Sequence, residues 1–207
     1  MTVSKWNNQK VVGDKKNKLR NKSLNILIFS DMHDQLIGLE KLNFWLENNK
    51  FDLALSCGDL SSAQTKNQVQ RVRKIIDIFK NHHLPFLTIA GNNEREETIN
   101  AMEKASVFLE EKEISGWHLV GISGWGDIMP RLTKPIDQNT ILVTHVPPKL
   151  SGKINLNNAP FLHLHGHLHC AYNRKVIGNT TIITVPPLMR GQGLNLKLPS
   201  LETKVLT

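Results

Sequence analysis

The chain opens its ordered pattern with an unbroken apolar run, Asn25-Ile26-Leu27-Ile28-Phe29-Ser30, of the length and β-branched content of a buried strand. Residues 35–49 then carry Leu36, Leu39, Leu42, Trp45 and Leu46 at helical spacing. A second run, Phe51–Cys57, reads as a strand, and residues 66–80 place Val69, Val72, Ile75, Ile76 and Phe79 on one helical face. A third strand is predicted at residues 84–90, followed by a weaker helix over residues 95–109. This β-α-β-α-β order argues for a parallel sheet covered by helices. The second half changes character. Residues 118–122, 140–144, 160–164, 171–177 and 180–185 read as strands, with a last one at 201–206, separated by Gly-, Pro- and Asn-rich loops. The sum is a two-sheet α/β sandwich with helices outside.

Composition adds bounds. A chain of 207 residues with 40% hydrophobic and 21% charged content suits one soluble domain. No apolar stretch reaches the roughly 18–20 residues of a membrane span, and the polar N-terminus lacks the apolar core of a secretory signal. Cys57 and Cys170 form no metal-type pair and read as small, buried, free thiols. A cytoplasmic location is the expectation. The net charge of +8 is uneven: residues 1–24 hold seven Lys or Arg and one acid, whereas the other 183 residues carry only +2. We therefore expect a basic, flexible extension over 1–24 and one domain over 25–207, with the extension able to touch nucleic acid.

The chemistry lies at the end of each strand. Asp31-Met32-His33 succeeds the first, Gly58-Asp59 the second, and Gly91-Asn92-Asn93-Glu94 the third. His145 comes directly after the strand at 140–144, and Gly166-His167-Leu168-His169 after that at 160–164. Strand ends of a parallel sheet converge on one edge, where sites are built. Two Asp, an Asn and four His would meet there. That donor set mixes carboxylate, amide and imidazole without thiolate, and suits Mn, Fe, Zn or Ni. Seven side chains exceed one ion and suffice for two if a carboxylate bridges.

The ordered set Asp-x-His, Gly-Asp, Gly-Asn-x-Glu, His, Gly-His-x-His resembles the calcineurin-like metallophosphoesterase superfamily, in particular its small single-domain prokaryotic members. The resemblance implies a four-layer αββα sandwich of two mixed β-sheets flanked by helices. It implies two divalent metal ions, with manganese favoured. Asp31, His33 and His169 would hold one, Asn92, His145 and His167 the other, and Asp59 would bridge them. A bridging hydroxide would attack the phosphorus of a small phosphoester. The sequence departs from the family at Asn93, where a catalytic His usually stands. Asn cannot transfer a proton but can donate a hydrogen bond to a phosphoryl oxygen, so Asn93 and Asp59 are the candidate catalytic residues and a phosphodiesterase is expected rather than a broad monoesterase. Glu94, with no His to orient, is expected to cap the next helix. Trp125 and Arg131, in a loop that the family places near its metals, are candidate substrate contacts, and Arg190 is a weaker one. His163 and His165 read as sheet residues, and His82, His83 and His118 as surface. Two other readings compete: a scaffold for partner proteins, as in a retromer subunit with the same fold, and a nuclease that uses the basic extension.

Overall fold

The computed structural model describes residues 22–124, 131–147 and 159–207. Its elements are β1 (Leu24–Phe29), α1 (Leu36–Asn48), β2 (Leu53–Ser56), α2 (Gln68–Asn81), β3 (Phe86–Thr88), α3 (Glu96–Lys104), β4 (Glu111–Ile114), β5 (Trp117–Ile122), β6 (Thr140–Thr144), β7 (Leu162–His165), β8 (Asn173–Ile177), β9 (Thr180–Thr184), β10 (Gly193–Leu198) and β11 (Glu202–Leu206), with a 3-10 turn at Leu188–Arg190. They form two sheets of five and six strands, in the orders β11-β10-β1-β2-β3 and β4-β5-β6-β7-β9-β8. Both sheets are mixed. The β1-β2-β3 and β5-β6-β7-β9 ladders are parallel, while β10, β11, β4 and β8 pair antiparallel with their neighbours.

The unbroken apolar run of β1 is explained by burial on both faces. Ile26 and Ile28 point between the sheets, where they meet Leu53, Leu55, Leu119, Ile141, Val143 and Leu164. Leu27 and Phe29 point the other way, onto Leu42 and Trp45 of α1, Val72, Ile75 and Phe79 of α2, and Met102 of α3. The three helices thus cover the outer face of the five-stranded sheet. Val120, Ile122 and Leu142 on the outer face of the other sheet pack against Leu132 and Ile136 from the connection after β5. Both sheets and the layered α/β architecture agree with the sequence reading.

Four local expectations need correction. The third helix stops at Lys104, with Ala105 as C-cap, and 105–109 turns back to hydrogen bond Thr88. β4 and β10 are additional to the strands expected from the sequence. Cys170 is exposed, unlike the buried Cys57. His118 is buried rather than superficial: its Nε2 lies 2.8 Å from Glu111 Oε1 and its Nδ1 lies 3.2 Å from Thr140 Oγ1. At the start of the fold, Lys22 N–H bonds Ser115 O, and Trp117 Nε1–H bonds Lys22 O. No helix among the described residues is long and apolar enough to cross a membrane.

Candidate metal centre

The loops after β1, β2, β3, β6 and β7 are knitted together by backbone bonds. Asp31 N–H reaches Gly58 O, both Met32 and His33 N–H reach Asp59 O, and Gly166 N–H reaches His145 O. The 3-10 turn closes the same edge, with Leu188 and Met189 N–H bonding Ser30 O and Asp31 O. These turns are tight enough to force side-chain-bearing residues into the left-handed region: Asp31 (φ 51°), His33 (47°), Asp34 (61°), Asp59 (54°), His167 (68°) and His169 (49°). Such conformations cost free energy and cluster where a site dictates them. Two glycines are required by close approach. A Cβ on Gly91 would stand 2.0 Å from Asp59 Oδ1, and one on Gly166 would stand 1.9 Å from Ser30 Oγ and 2.6 Å from Asp31 Oδ2.

The seven donors meet in two adjoining groups. In one, His169 Nε2 lies 3.1 Å from Asp31 Oδ1 and 2.9 Å from His33 Nε2, itself 3.8 Å from Asp31 Oδ1. In the other, Asn92 Oδ1 lies 2.9 Å from both His145 Nε2 and His167 Nδ1, and those two nitrogens are 3.2 Å apart. Asp59 stands between them, its Oδ2 lying 3.7 Å from His33 Nε2 and 3.3 Å from His145 Nε2. The ligand-capable atoms of Asp31, His33 and His169, and likewise those of Asp31, Asp59 and His145, lie within 4.8 Å of one another.

The chemistry of this set fits a cation. His145 Nδ1 faces the carbonyl oxygen of Cys57 at 2.8 Å, and a carbonyl only accepts, so this nitrogen carries the proton. In the neutral ring Nε2 is then a bare lone pair, directed at two oxygens and another imidazole nitrogen. A cation placed among them would be bound by that lone pair and by the two oxygens together. Ligand imidazoles must also be neutral. Burial lowers the pKa of His33 and His167, with Asp31 and Asp59 opposing. Burial opposes charge on His145 too, but Asp59 beside it raises its pKa on balance. Asp59 itself resists burial and is held below its usual pKa by His145 and by two donors from Asn93.

Those donors place Asn93. Its backbone N–H bonds Asp59 Oδ1 at 2.9 Å and its side-chain Nδ2 bonds Asp59 Oδ2. Glu94 corrects the capping expectation. Its carboxylate turns away from α3 and accepts N–H bonds from Gly91 (2.7 Å), Asp59 (3.1 Å) and Ser61 (3.1 Å), tying the second and third loops together. Burial and the nearby Asp59 charge raise its pKa to about 7 despite these donors. The acids in the first turn of α3 are Glu96 and Glu97. Asp34, outside the motifs, accepts bonds from Ser61 Oγ, Ser62 N–H and Thr65 Oγ1 and so anchors the loop after Asp59. Its one signal in the sequence is its place beside His33.

Other candidates fall elsewhere. His163 and His165 lie in β7, bonded to Thr144 and Thr184. Arg131 lines a surface cavity of about 490 Å³ with Glu103, Phe108, Glu110 and Lys112, none of which belongs to the seven. Arg190 is exposed on the 3-10 turn. Trp125 lies outside the described residues.

Residues 24–187 match the model of the calcineurin-like phosphoesterase superfamily domain. This chain belongs to that superfamily. As a metallophosphoesterase it is placed among hydrolases of phosphoric esters that use divalent metal ions. Solved structures share the fold at low identity. The protein TT1561 of Thermus thermophilus is 14% identical with a TM-score of 0.70, over 90% of this chain and 99% of that one. A novel archaeal phosphodiesterase is 15% identical with a TM-score of 0.61, over 88% and 99%. A dimetal phosphatase from Danio rerio is 8% identical with a TM-score of 0.54, over 89% and 98%. Comparison with curated protein sequences gives no match.

Proposed function

We propose that this metallophosphoesterase is a two-metal phosphodiesterase acting on small or nucleotide-like phosphodiesters. The observation that carries the reading is the place of Asp59, whose Oδ2 lies 3.7 Å from a donor of one group and 3.3 Å from a donor of the other. Asp31, His33 and His169 would hold one ion and Asn92, His145 and His167 the second, with Asp59 bridging. Two divalent ions, Mn²⁺ in the first instance, would polarise the phosphoryl group and furnish hydroxide at neutral pH.

The chain's own residues do the rest. Cys57 O fixes the His145 tautomer so that Nε2 presents its lone pair. Glu94 holds the Asp59 backbone by its N–H. Asn93 brings an amide to the point where the family's His would stand. It can donate a hydrogen bond to a phosphoryl oxygen and cannot protonate a leaving group. General-acid help is typically worth about 10²–10⁴-fold, and its loss weighs most on poor leaving groups. The fold is shared with proteins described as a phosphodiesterase and as a dimetal phosphatase; Asn93 inclines this chain toward the former. A pure protein-binding scaffold has no use for seven convergent metal-type donors.

The test is hydrolysis of bis(p-nitrophenyl) phosphate beside p-nitrophenyl phosphate, first with stripped protein and then with added Mn²⁺, alongside Asp59→Asn. The reading expects Mn²⁺-dependent cleavage that favours the diester and is lost in the variant. Absence of turnover with any divalent metal, from protein shown to be folded, overturns it in favour of the scaffold.

A further inference from the structure

We infer that Gln68, a residue outside every motif, is a positioning residue that sets Asn93 against Asp59. Gln68 is the first residue of α2 and is 1% exposed. A buried amide is costly unless its hydrogen-bonding capacity is met, and here all four positions are used. Nε2 donates to Ser62 O and to Asn93 O, both at 2.8 Å. Oε1 accepts from Arg95 N–H and from Thr98 Oγ1–H, both at 3.0 Å. One side chain therefore joins the loop after Asp59, the loop that carries Asn93, and the N-terminus of α3, which has no capping side chain of its own.

The consequence for Asn93 is specific. Its carbonyl is held by Gln68 and its N–H by Asp59 Oδ1, so both ends of its main chain are fixed. Only the side-chain amide, now on Asp59 Oδ2, has freedom to exchange partners. Gln68 thus holds the base on which that amide turns, and through Asn93 it steadies the carboxylate placed between the two donor groups. Of the opposite pair of bonds, that from Arg95 N–H closes the end of the loop that carries Asn93, whereas that from Thr98, inside α3, anchors Gln68 to the helix and touches neither loop of the site. This asymmetry separates positioning from mere stability.

The inference rests on the two-metal reading, so its test uses a readout other than turnover. Mn²⁺ affinity would be measured by calorimetry, and diester kinetics at saturating Mn²⁺, for the wild type, Gln68→Met, Gln68→Glu and Thr98→Val. Partners that orient metal ligands typically affect metal affinity or activity by about 10–100-fold. Both Gln68 variants are expected to bind Mn²⁺ weaker by that factor and to lose kcat with KM retained. Thr98→Val is expected to lower the unfolding midpoint while keeping wild-type affinity and kcat. If Gln68→Met does not fold, Gln68→Glu decides, because it keeps the acceptor atoms for Arg95 and Thr98 and loses the donors to Ser62 and Asn93. Folded Gln68 variants with wild-type affinity and kcat overturn the inference alone, as does Thr98→Val matching their losses. A wild type that binds no Mn²⁺ overturns the two-metal reading and the inference with it.

Discussion

His163 gives the fold an acid sensitivity that can be worked out and measured. Its side chain is fully buried in β7. The Thr144 hydroxyl donates to Val146 O at 2.7 Å, so at 2.8 Å its oxygen accepts from His163 Nε2–H. Among the described residues His163 Nδ1 has no hydrogen-bond partner, so none of them welcomes a second proton there. Burial, with His165 and Lys175 adding like charge, pulls its pKa down to about 3. The unfolded chain regains a His pKa of about 6.5. As pH falls below that value the unfolded state takes up a proton that the folded state refuses, and stability is lost progressively until the folded pKa is reached. Each pH unit between the two pKa values costs about 1.4 kcal/mol, so the loss from pH 7.5 to 5.0 is about 2 kcal/mol. The perturbation is His163→Leu, which leaves the Thr144–Val146 bond in place. Urea unfolding in a metal-free buffer at pH 7.5, 6.0 and 5.0 supplies the free energies. The stability difference between variant and wild type should move by about 2 kcal/mol in the variant's favour across that range. A difference independent of pH refutes the assignment of a buried neutral imidazole.

Three further outcomes are expected. Gly166→Ala drives a methyl group into Ser30 Oγ and Asp31 Oδ2, so it should weaken Mn²⁺ binding by at least about 10-fold, as loss of ligand geometry does; wild-type affinity in a calorimetric titration would refute the close approach. Asn93→His should raise turnover of an alkyl-leaving-group diester more than that of a nitrophenyl diester, because only the former needs a proton on departure; equal gains on both would sink the general-acid argument. Removal of residues 1–21, which spares the Lys22–Ser115 bond, should flatten the salt dependence of single-stranded nucleic acid binding if the extension contacts phosphates; an unchanged slope removes the extension from consideration.

Much of the fold is legible in local pattern. β1, β2 and β6 are apolar runs because both of their faces are buried, and α2 shows its stripe because only one face is. The motif residues stand after such strands, so their convergence comes from parallel topology alone. β4 gives no comparable signal: Glu111-Lys112-Glu113-Ile114 is an edge strand, and charged residues suit an edge. β10 does alternate Leu194, Leu196 and Leu198 with Asn195 and Lys197, yet nothing local announces that it inserts beside β1 in the sheet. His118 cannot be read as buried without knowing that Glu111 pairs with it across that unannounced edge. Glu94 resembles a cap because it precedes α3; the N–H groups that claim it belong to loops brought in by the fold. Gln68 has no pattern at all, since its meaning lies in four partners of which the nearest is six residues away.

The most direct test of the account is to locate Mn²⁺ by anomalous diffraction in crystals of the metal-loaded protein. Two peaks are predicted on either side of the Asp59 carboxylate, one among Asp31, His33 and His169 and the other among Asn92, His145 and His167. A single peak, or ions bound away from these residues, would contradict a two-metal centre bridged by Asp59.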